Sequence, residues 1–250
     1  MTNKGRVLAW FSCGSASAVA AKLAIERHGD CCEVLYCDTL AYEHPDNRRF
    51  MADVERWLGV PITILRSDAY TDIYDVFRRT RWLVGPEGAR CTTELKKNVR
   101  TAYQLPDDVH VFGFTKDEGH RLRRFYREQP DVRAEFPLIE EGITKAECHR
   151  RIAEAGIEAP AMYRLGYKNN NCIGCVKGGK GYWNKIRRDF PDAFNRMAQM
   201  ERELDAAICK DEPTVKGKRL RLRVFLDELP PDAQDDLHSH FDMECGVLCR

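Results

Sequence analysis

The chain has 250 residues, of which 43% are hydrophobic and 32% are charged, and its 40 Lys and Arg residues against 39 Asp and Glu residues leave a net charge of +1. This composition excludes a disordered or fibrous protein, and the net charge gives no support for a nucleic-acid partner beyond a local patch. The apolar runs are shorter than the ~20 residues that a membrane helix needs. The first residues lack the basic and apolar pattern of a signal peptide, so we expect a cytoplasmic protein without membrane contact.

Short apolar strands alternate with helix-prone segments along the first part of the chain. The predicted elements, in order, are a strand at Arg6–Phe11, a helix at Ala16–His28 that Gly29 ends, a strand at Glu33–Tyr36, a helix at Asp46–Leu58 and a strand at Pro61–Leu65. This alternation predicts an α/β fold with a doubly wound, mainly parallel sheet. We predict an α/β domain over residues 1–165 and a helical, cysteine-bearing region with a tail over residues 166–250.

A turn of small residues, Ser12–Ser17, lies where the first predicted strand ends and the first helix begins. Ligands of parallel sheets bind at the carboxyl ends of strands, and small residues let backbone N–H groups and the helix dipole approach a phosphate. A plain strand-to-helix turn is the alternative interpretation. The chain lacks G-x-G-x-x-G and G-x-x-x-x-G-K-[ST] motifs, which weakens the case for a Rossmann dinucleotide enzyme or a Walker ATPase.

The cysteine content is high, with 11 residues, and the number is odd. Disulfides are disfavoured in a reducing compartment, so thiolates for metal, cluster or redox chemistry are the better interpretation. Some cysteines lie in or beside apolar segments and are expected to be plain thiols: Cys31, Cys32, Cys37, Cys148 and Cys209. The others lie in glycine-rich or turn contexts: Cys13, Cys91, Cys172, Cys175, Cys245 and Cys249.

Several fragments occur in the order typical of one enzyme family. They are Ser12–Ser17 (S-C-G-S-A-S), Tyr36–Thr39 (Y-C-D-T), Arg90–Lys96 (R-C-T-T-E-L-K), Phe112–Glu118 (F-G-F-T-K-D-E), Phe136–Ile139 (F-P-L-I), Met162–Tyr167 (M-Y-R-L-G-Y) and Cys172–Cys175 (C-I-G-C). Together they resemble the phosphoadenosine phosphosulfate (PAPS) reductase family, within the pyrophosphatase-loop superfamily of adenine-nucleotide alpha-hydrolase-like proteins. The resemblance covers residues 5–200, and its strength is the collinear order of the fragments.

The resemblance implies an oxidoreductase of sulfur metabolism that reduces a sulfonucleotide by thiol chemistry. It places an adenine nucleotide, either PAPS, adenosine 5′-phosphosulfate (APS) or ATP, against Ser12, Gly14, Ser15, Ser17, Asp38, Gly113 and Arg124. It assigns the sulfate end of the nucleotide to Lys96 and Arg121, although the sequence does not rank Arg121, Arg123 and Arg124 as the anion clamp. Cys245, in an E-C-G segment, would be the nucleophilic thiolate, and a thioredoxin-like protein would be the electron donor.

Two departures from the family pattern affect the expected chemistry. Ala16 stands where the ATP-splitting members have Asp, and it has no carboxylate that would bind Mg²⁺. Thr115 stands where the family usually has Arg, so the anion clamp must come from other cations. The first departure weakens the case for ATP cleavage and favours the reductases mildly.

The C-x-x-C pair of Cys172 and Cys175 lies in a polar loop, and its spacing lets two thiolates share one metal. In the interpretation that the resemblance favours, Cys91, Cys172 and Cys175 hold a [4Fe–4S] cluster, with Cys249 or Cys245 as a fourth ligand. In the alternative, zinc is bound by four thiolates, those of Cys172, Cys175, Cys245 and Cys249.

Two other functions stay open at this point. An ATP-dependent sulfurtransferase of the same superfamily would thiolate tRNA or DNA, and a non-catalytic protein would bind a nucleotide and hold a structural zinc. The basic stretch Thr214–Leu226 is either an amphipathic strand with one solvated face or a docking strip for phosphates. Iron with sulfide would support either enzyme, whereas zinc alone would support the binding protein.

Overall fold

The computed structural model describes residues 5–86, 88–211, 214–215, 218–219 and 222–234. The strands are β1 (Val7–Phe11), β2 (Cys32–Cys37), β3 (Ile62–Leu65), β4 (Val84–Gly85), β5 (Gly88–Ala89), β6 (Val109–Val111), β7 (Ala134–Glu135), β8 (Cys209–Asp211), β9 (Thr214–Val215), β10 (Lys218–Arg219) and β11 (Leu222–Val224). The α-helices are α1 (Ser15–His28), α2 (Asn47–Leu58), α3 (Ile73–Thr80), α4 (Arg90–Thr92), α5 (Asn98–Tyr103), α6 (Gly119–Glu128), α7 (Pro137–Glu140), α8 (Lys145–Glu154), α9 (Ala161–Arg164), α10 (Lys180–Asp189) and α11 (Pro191–Leu204). Short 3₁₀ turns lie at Gly29–Cys31, Leu40–Tyr42, Lys116–Glu118 and Leu226–Glu228, and a π-helical segment at Thr93–Lys97.

The main sheet has five strands in the order β3-β2-β1-β6-β7, and every pairing between neighbours is parallel. All residues of β1 are buried, as expected for a central strand that is covered on both faces. Its apolar run V-L-A-W-F pairs with β2 on one side and β6 on the other. The predicted parallel α/β sheet is therefore confirmed.

Alternate residues of β1 supply two apolar cores, one on each face of the sheet. Val7, Ala9 and Phe11 pack with residues of α1, α2 and α8. Leu8 and Trp10 pack with residues of α5 and α6, on the opposite face. Because helices cover both faces, the fold is doubly wound, as the sequence predicted.

Helix ends follow from the local sequence. The backbone of Gly29 adopts φ +56°, so α1 ends at the glycine that the sequence predicted. Gly59, at φ +75°, ends α2, and its N–H donates to the Glu55 carbonyl at 2.9 Å. α1 begins at Ser15, one residue before the predicted start, because Gly14 is the N-terminal cap.

A buried polar group lies on the α5 face of the sheet. Trp10 Nε1 donates to His110 Nδ1 at 2.9 Å, and burial, assisted by the charge of Arg100, lowers the pKa of His110 to about 4. Arg100 is only 6% exposed, and within the described residues its Nε and Nη1 atoms have no hydrogen-bond acceptor. Its Nη2 donates to Gln129 Oε1 at 2.5 Å, and burial lowers the pKa of Arg100 to about 10.

The chain divides into two units that are interleaved along the sequence. The first unit contains described residues from 5–66 and 97–170, including the whole main sheet. The described residues of the second unit fall within 67–96 and 171–234. The division at residue 165 stays a prediction.

The second unit is mainly helical in its described part. α10 packs against α11, and β8 pairs antiparallel with β11. The Glu201 carboxylate, fully buried on α11, accepts the backbone N–H of Ile208 at 2.5 Å and that of Leu226 at 2.6 Å. Across the residues described in both units, none of the helices combines the length and apolar character needed to cross a membrane.

Candidate functional site

The turn between β1 and α1 is held by its own side chains. Ser17 Oγ donates to the Gly14 carbonyl at 2.9 Å and accepts the backbone N–H of Ser12 at 3.0 Å. Ser12 Oγ adds a third contact to Ser17 Oγ at 3.2 Å. The amides of the first helical turn, at Ala16 and Ser17, have no intrahelical acceptor, so the turn presents N–H groups and the positive end of the α1 dipole.

Cys13 adopts a left-handed backbone conformation, with φ +60°, within this turn. Non-glycine residues rarely adopt this conformation, and Cys13 stands where the resembled loop has glycine. Its side chain is fully buried, and its carbonyl accepts from Asn170 Nδ2 at 2.6 Å. Cys13 Sγ also lies 3.5 Å from the Asn47 carbonyl. These contacts hold the strained residue in place.

Three predicted nucleotide-binding segments follow neighbouring strands at one edge of the sheet. The Ser12–Ser17 turn follows β1, Asp38 follows β2, and Gly113 lies just beyond β6. A Cβ atom built on Gly113 would lie 2.8 Å from Ser17 Cα, so only glycine allows β6 and the start of α1 to approach this closely. Asp38 Oδ2 accepts from Arg66 Nε at 2.9 Å.

His149 and Tyr163 contact the same turn. The sequence analysis did not mark His149, and it quoted Tyr163 within the Met162–Tyr167 fragment without giving it a role in the site. Ser15 Oγ and His149 Nδ1 are 3.0 Å apart, and the ring centroids of His149 and Tyr163 are 4.6 Å apart in an edge-on arrangement. A Cβ atom on Gly14 would lie 3.2 Å from the Tyr163 hydroxyl. Burial raises the pKa of Tyr163, while hydrogen bonding from the backbone of Asn170 and Ser15 opposes the rise. Tyr163 is therefore neutral at physiological pH.

Lys145, which sequence reasoning also missed, brings a positive charge to the first turn of α8. Its Nζ donates to the Lys168 carbonyl at 2.7 Å and to Asn169 Oδ1 at 2.5 Å. Burial lowers the pKa of Lys145; the charge of Glu118 opposes this effect and that of Arg121 adds to it. Neither His149 nor Lys145 belongs to a short motif, so no local signal marked them.

The structure distinguishes two of the arginines that the sequence did not rank. Arg121 is 9% exposed, pairs with Glu118 and lies over the Phe114 ring at 4.1 Å from its centroid. The Arg124 side chain is 39% exposed and pairs with Glu128 Oε1 at 3.0 Å. Arg121 is thus the buried cation, next to the segment that follows Gly113.

The predicted cluster ligands within the described residues belong to the second unit. Cys91 lies on α4, and the buried side chain of Lys96 lies on the adjacent π-helical segment. Cys172 and Cys175 flank Gly174, whose φ of +73° makes the tight turn that the C-x-x-C spacing suggested. The Tyr182 hydroxyl accepts the Cys175 N–H at 2.9 Å and donates to the Cys172 carbonyl at 3.2 Å, which ties the two ends of the turn together.

Cys245 and Cys249 lie outside the described residues. In the part of the chain that is described, no three His, Cys, Asp or Glu side chains are arranged to hold a metal ion. Thiolates suit iron–sulfur clusters and zinc equally well, so the donor set does not choose between them. Both metal assignments stay predictions.

Comparison with known proteins gives one distant similarity. No protein-family model matches the chain. The chain is similar to an uncharacterized protein of Methanocaldococcus jannaschii, with 26% identity over 214 residues. The similar region covers 80% of this chain and 42% of the Methanocaldococcus protein, so the chain spans less than half the length of that relative.

Proposed function

We propose that this chain is a cytoplasmic, sulfonucleotide reductase-like enzyme that binds an adenine nucleotide at the Ser12–Ser17 turn. One observation carries the proposal. In the order β3-β2-β1-β6-β7, the connections run outward from β1 in opposite directions, so the carboxyl edge between β1 and β6 is the topological switch point where doubly wound sheets bind ligands. The Ser12–Ser17 turn and Gly113 both lie at this point.

The chemistry of the turn supports a phosphoryl group as its ligand. The first-turn amides of α1 are hydrogen-bond donors without an acceptor in the helix, and the helix dipole favours negative charge next to them. Gly14 and Gly113 add no side chain to the turn, where a Cβ atom would lie 3.2 Å from the Tyr163 hydroxyl and 2.8 Å from Ser17 Cα, respectively. Two cations add positive charge near the turn. Burial and the charge of Lys145 lower the pKa of His149, which contacts Ser15, and burial and the charge of Arg121 lower the pKa of Lys145.

The sulfur chemistry rests on the resemblance. In the proposed step, the Cys245 thiolate attacks the sulfur of the sulfuryl group, and the bond from that sulfur to the phosphate oxygen breaks. The nucleotide leaves with the electron pair, and Cys245 carries an S-sulfonate. A thioredoxin-like dithiol then attacks Sγ, sulfite leaves with the electron pair, and the second thiol of the donor forms its disulfide and restores Cys245. The roles of Lys96 and Arg121 at the sulfuryl oxygens also rest on the resemblance alone.

A [4Fe–4S] cluster held by Cys91, Cys172, Cys175 and Cys249 would supply redox capacity. Only the first three of these ligands are described, and they do not form a group arranged for a metal. The proposed step therefore passes through thiols alone.

The test measures sulfite release from PAPS and from APS with reduced thioredoxin, together with calorimetric binding of each nucleotide. We expect sulfite from the wild type and no binding by Gly14→Val, because the added side chain would crowd both the phosphate and the Tyr163 hydroxyl. Gly119→Ala is the control. Gly119 lies on α6, and the added Cβ atom would be 4.0 Å from Arg123 Nη1, so it would crowd no neighbour.

Each outcome of this test has a distinct meaning. Unchanged affinity in Gly14→Val would remove the turn as the nucleotide site. ATP consumption with thiolated nucleic acid, and no sulfite, would favour the sulfurtransferase. A wild type that binds none of the three nucleotides would contradict the proposal entirely.

A further inference from the structure

The hydrogen bond between Ser15 and His149 joins the first helical residue of α1 to an ionisable ring. Ser15 Oγ lies 3.0 Å from His149 Nδ1, and the Ser15 side chain is fully buried. α8, which carries His149, packs along α1, and the His149 ring is half-buried against Tyr163. His149 therefore lies directly behind the N-terminal turn that the proposed nucleotide would occupy, while remaining accessible to solvent protons.

The surroundings of the ring favour its neutral form while the turn has no anion. Burial lowers the pKa of His149, and the charge of Lys145 on the same helix lowers it further. Tyr163, on α9, contacts the His149 ring, and Cys148 precedes His149 in the sequence. Burial raises the pKa of Tyr163 and raises that of Cys148 to about 12, so both side chains are neutral. Glu118 and Arg121, which form an ion pair, have opposite effects on the pKa of Lys145: the charge of Glu118 raises it and the charge of Arg121 lowers it. From α1, Ser15 and the positive end of the helix dipole face the ring.

The Ser15 hydroxyl suits both protonation states of the imidazole. A hydroxyl can donate to a neutral Nδ1 or accept from a protonated one, because its O–H rotates and its oxygen carries lone pairs. A backbone carbonyl or amide in the same place would favour one state only. The histidine can therefore gain or lose a proton without breaking this hydrogen bond.

We infer that His149 is the proton-linked cation of the anion site: it is neutral in the free protein and takes up one proton from solvent when a phosphoryl or sulfuryl anion binds at the first turn of α1. The inference rests on the proposed nucleotide site. The arriving negative charge reverses the electrostatic balance that Lys145 and the helix dipole impose on the ring. His149 is a positioning residue in this scheme, because it acts on the anion through charge and through Ser15.

The sign of the resulting pH dependence follows from linkage. Anion binding raises the pKa of His149, so the bound state holds more protons than the free state between the two pKa values. Affinity then increases as the pH falls through this interval, by about tenfold for each unit by which the anion raises the pKa. Above both values, and below both, the affinity is level.

The experiment is calorimetric titration of the full chain with APS from pH 5.5 to 8. APS contains no phosphate monoester, whose second pKa near 6 would add protons of its own. Titrations in two buffers of different ionisation enthalpy give the number of protons taken up. We expect an uptake that approaches one proton and an affinity that rises on acidification.

Two variants separate a charge role from a structural one. In His149→Asn, the asparagine side chain can place a polar atom near the position of Nδ1, but it does not titrate. Proton uptake on binding and the pH dependence of APS affinity should therefore both disappear, while APS binding persists. His28→Asn is the matched control, because His28 lies at the other end of α1 and contacts Glu135 at 2.9 Å. It should keep the wild-type uptake.

The outcomes distinguish this inference from the proposed function. Wild-type binding of APS without proton uptake at any pH overturns the role of His149 and leaves the nucleotide site standing, and this measurement needs no variant. Undiminished uptake in His149→Asn also overturns it. Failure of the wild type to bind APS, PAPS and ATP at every pH overturns the nucleotide site and this inference together.

Discussion

The close approach of β6 to the start of α1 gives a direct test of the site. In Gly113→Ala, the new Cβ atom would lie 2.8 Å from Ser17 Cα, 2.9 Å from Ser17 N and 3.0 Å from the Ala16 carbonyl carbon. Carbon atoms in good contact are about 3.5–4.0 Å apart, and all three neighbours are backbone atoms that cannot rotate away. Either β6 or the first turn of α1 must move, and overpacking of this kind costs about 1–3 kcal/mol.

Gly119→Ala is the matched control for this change. Gly119 is the first residue of α6, its backbone is helical at φ −56° and ψ −24°, and a Cβ there has only Arg123 Nη1 within reach, at 4.0 Å. Alanine fits this conformation and restricts the unfolded chain, so the variant should gain about 0.4–1 kcal/mol. The two variants should therefore differ in unfolding free energy by about 1–4 kcal/mol.

Urea unfolding, followed by circular dichroism, gives both free energies from the transition midpoints at equal slopes. The nucleotide affinity of Gly113→Ala, measured under conditions where it is folded, should also fall, because the displaced turn carries the amides that would bind phosphate in the proposed site. If Gly113→Ala is as stable as the wild type and binds nucleotide equally well, the approach of β6 to α1 neither limits the packing nor shapes the site.

Three further predictions concern buried ionisable groups and the cysteines. The pKa of His110 is about 4 in the folded protein against 6.5 in the unfolded chain, so the unfolding free energy should be highest above pH 6.5 and should fall by about 3 kcal/mol as the pH drops through 4. An NMR titration of the ring and urea unfolding at both pH values check this, and an unfolding free energy that does not change with pH contradicts it. Arg100→Met should raise the unfolding free energy by about 1–4 kcal/mol, because it removes a buried, incompletely satisfied guanidinium; a loss of stability in urea would contradict this reasoning. Cys91→Ser should remove the metal under the cluster assignment and leave it under the zinc assignment, and unchanged metal content in Cys172→Ser would refute both.

The sheet and the Ser12–Ser17 turn were predictable because their signals are local. The all-apolar run of β1 and the helix stop at Gly29 depend on neighbouring residues alone. Asp38 and Gly113 could be placed at the same edge because parallel strands end on one side of a sheet. Strand pattern was sufficient for Asp38, whereas the resemblance of Phe112–Glu118 placed Gly113 at a strand end.

The remaining features depend on contacts between distant segments. His149 meets Ser15 across 134 residues, and only the packing of α8 on α1 brings them together. Arginine is almost never fully buried, so nothing in the sequence around Arg100 indicated that α5 would bury this side chain. The composition of the turn did not specify that Cys13 has a positive φ, although the resembled loop has glycine at this position.

The placement of β1 in the middle of the sheet has a consequence for synthesis on the ribosome. Its neighbour β2 follows within a few tens of residues, but Val7 also pairs with Val109, which is made about 100 residues later. Because synthesis proceeds at about 5–20 residues per second, the edge of β1 that pairs with β6 keeps its hydrogen-bonding groups unpaired for about 5–20 s. An apolar edge strand is a template for pairing with other chains, so the nascent chain is open to aggregation during this interval. This edge of β1 closes only when the segment that carries Gly113 has also emerged, so the central strand becomes fully paired and the proposed nucleotide site is assembled in the same step of synthesis.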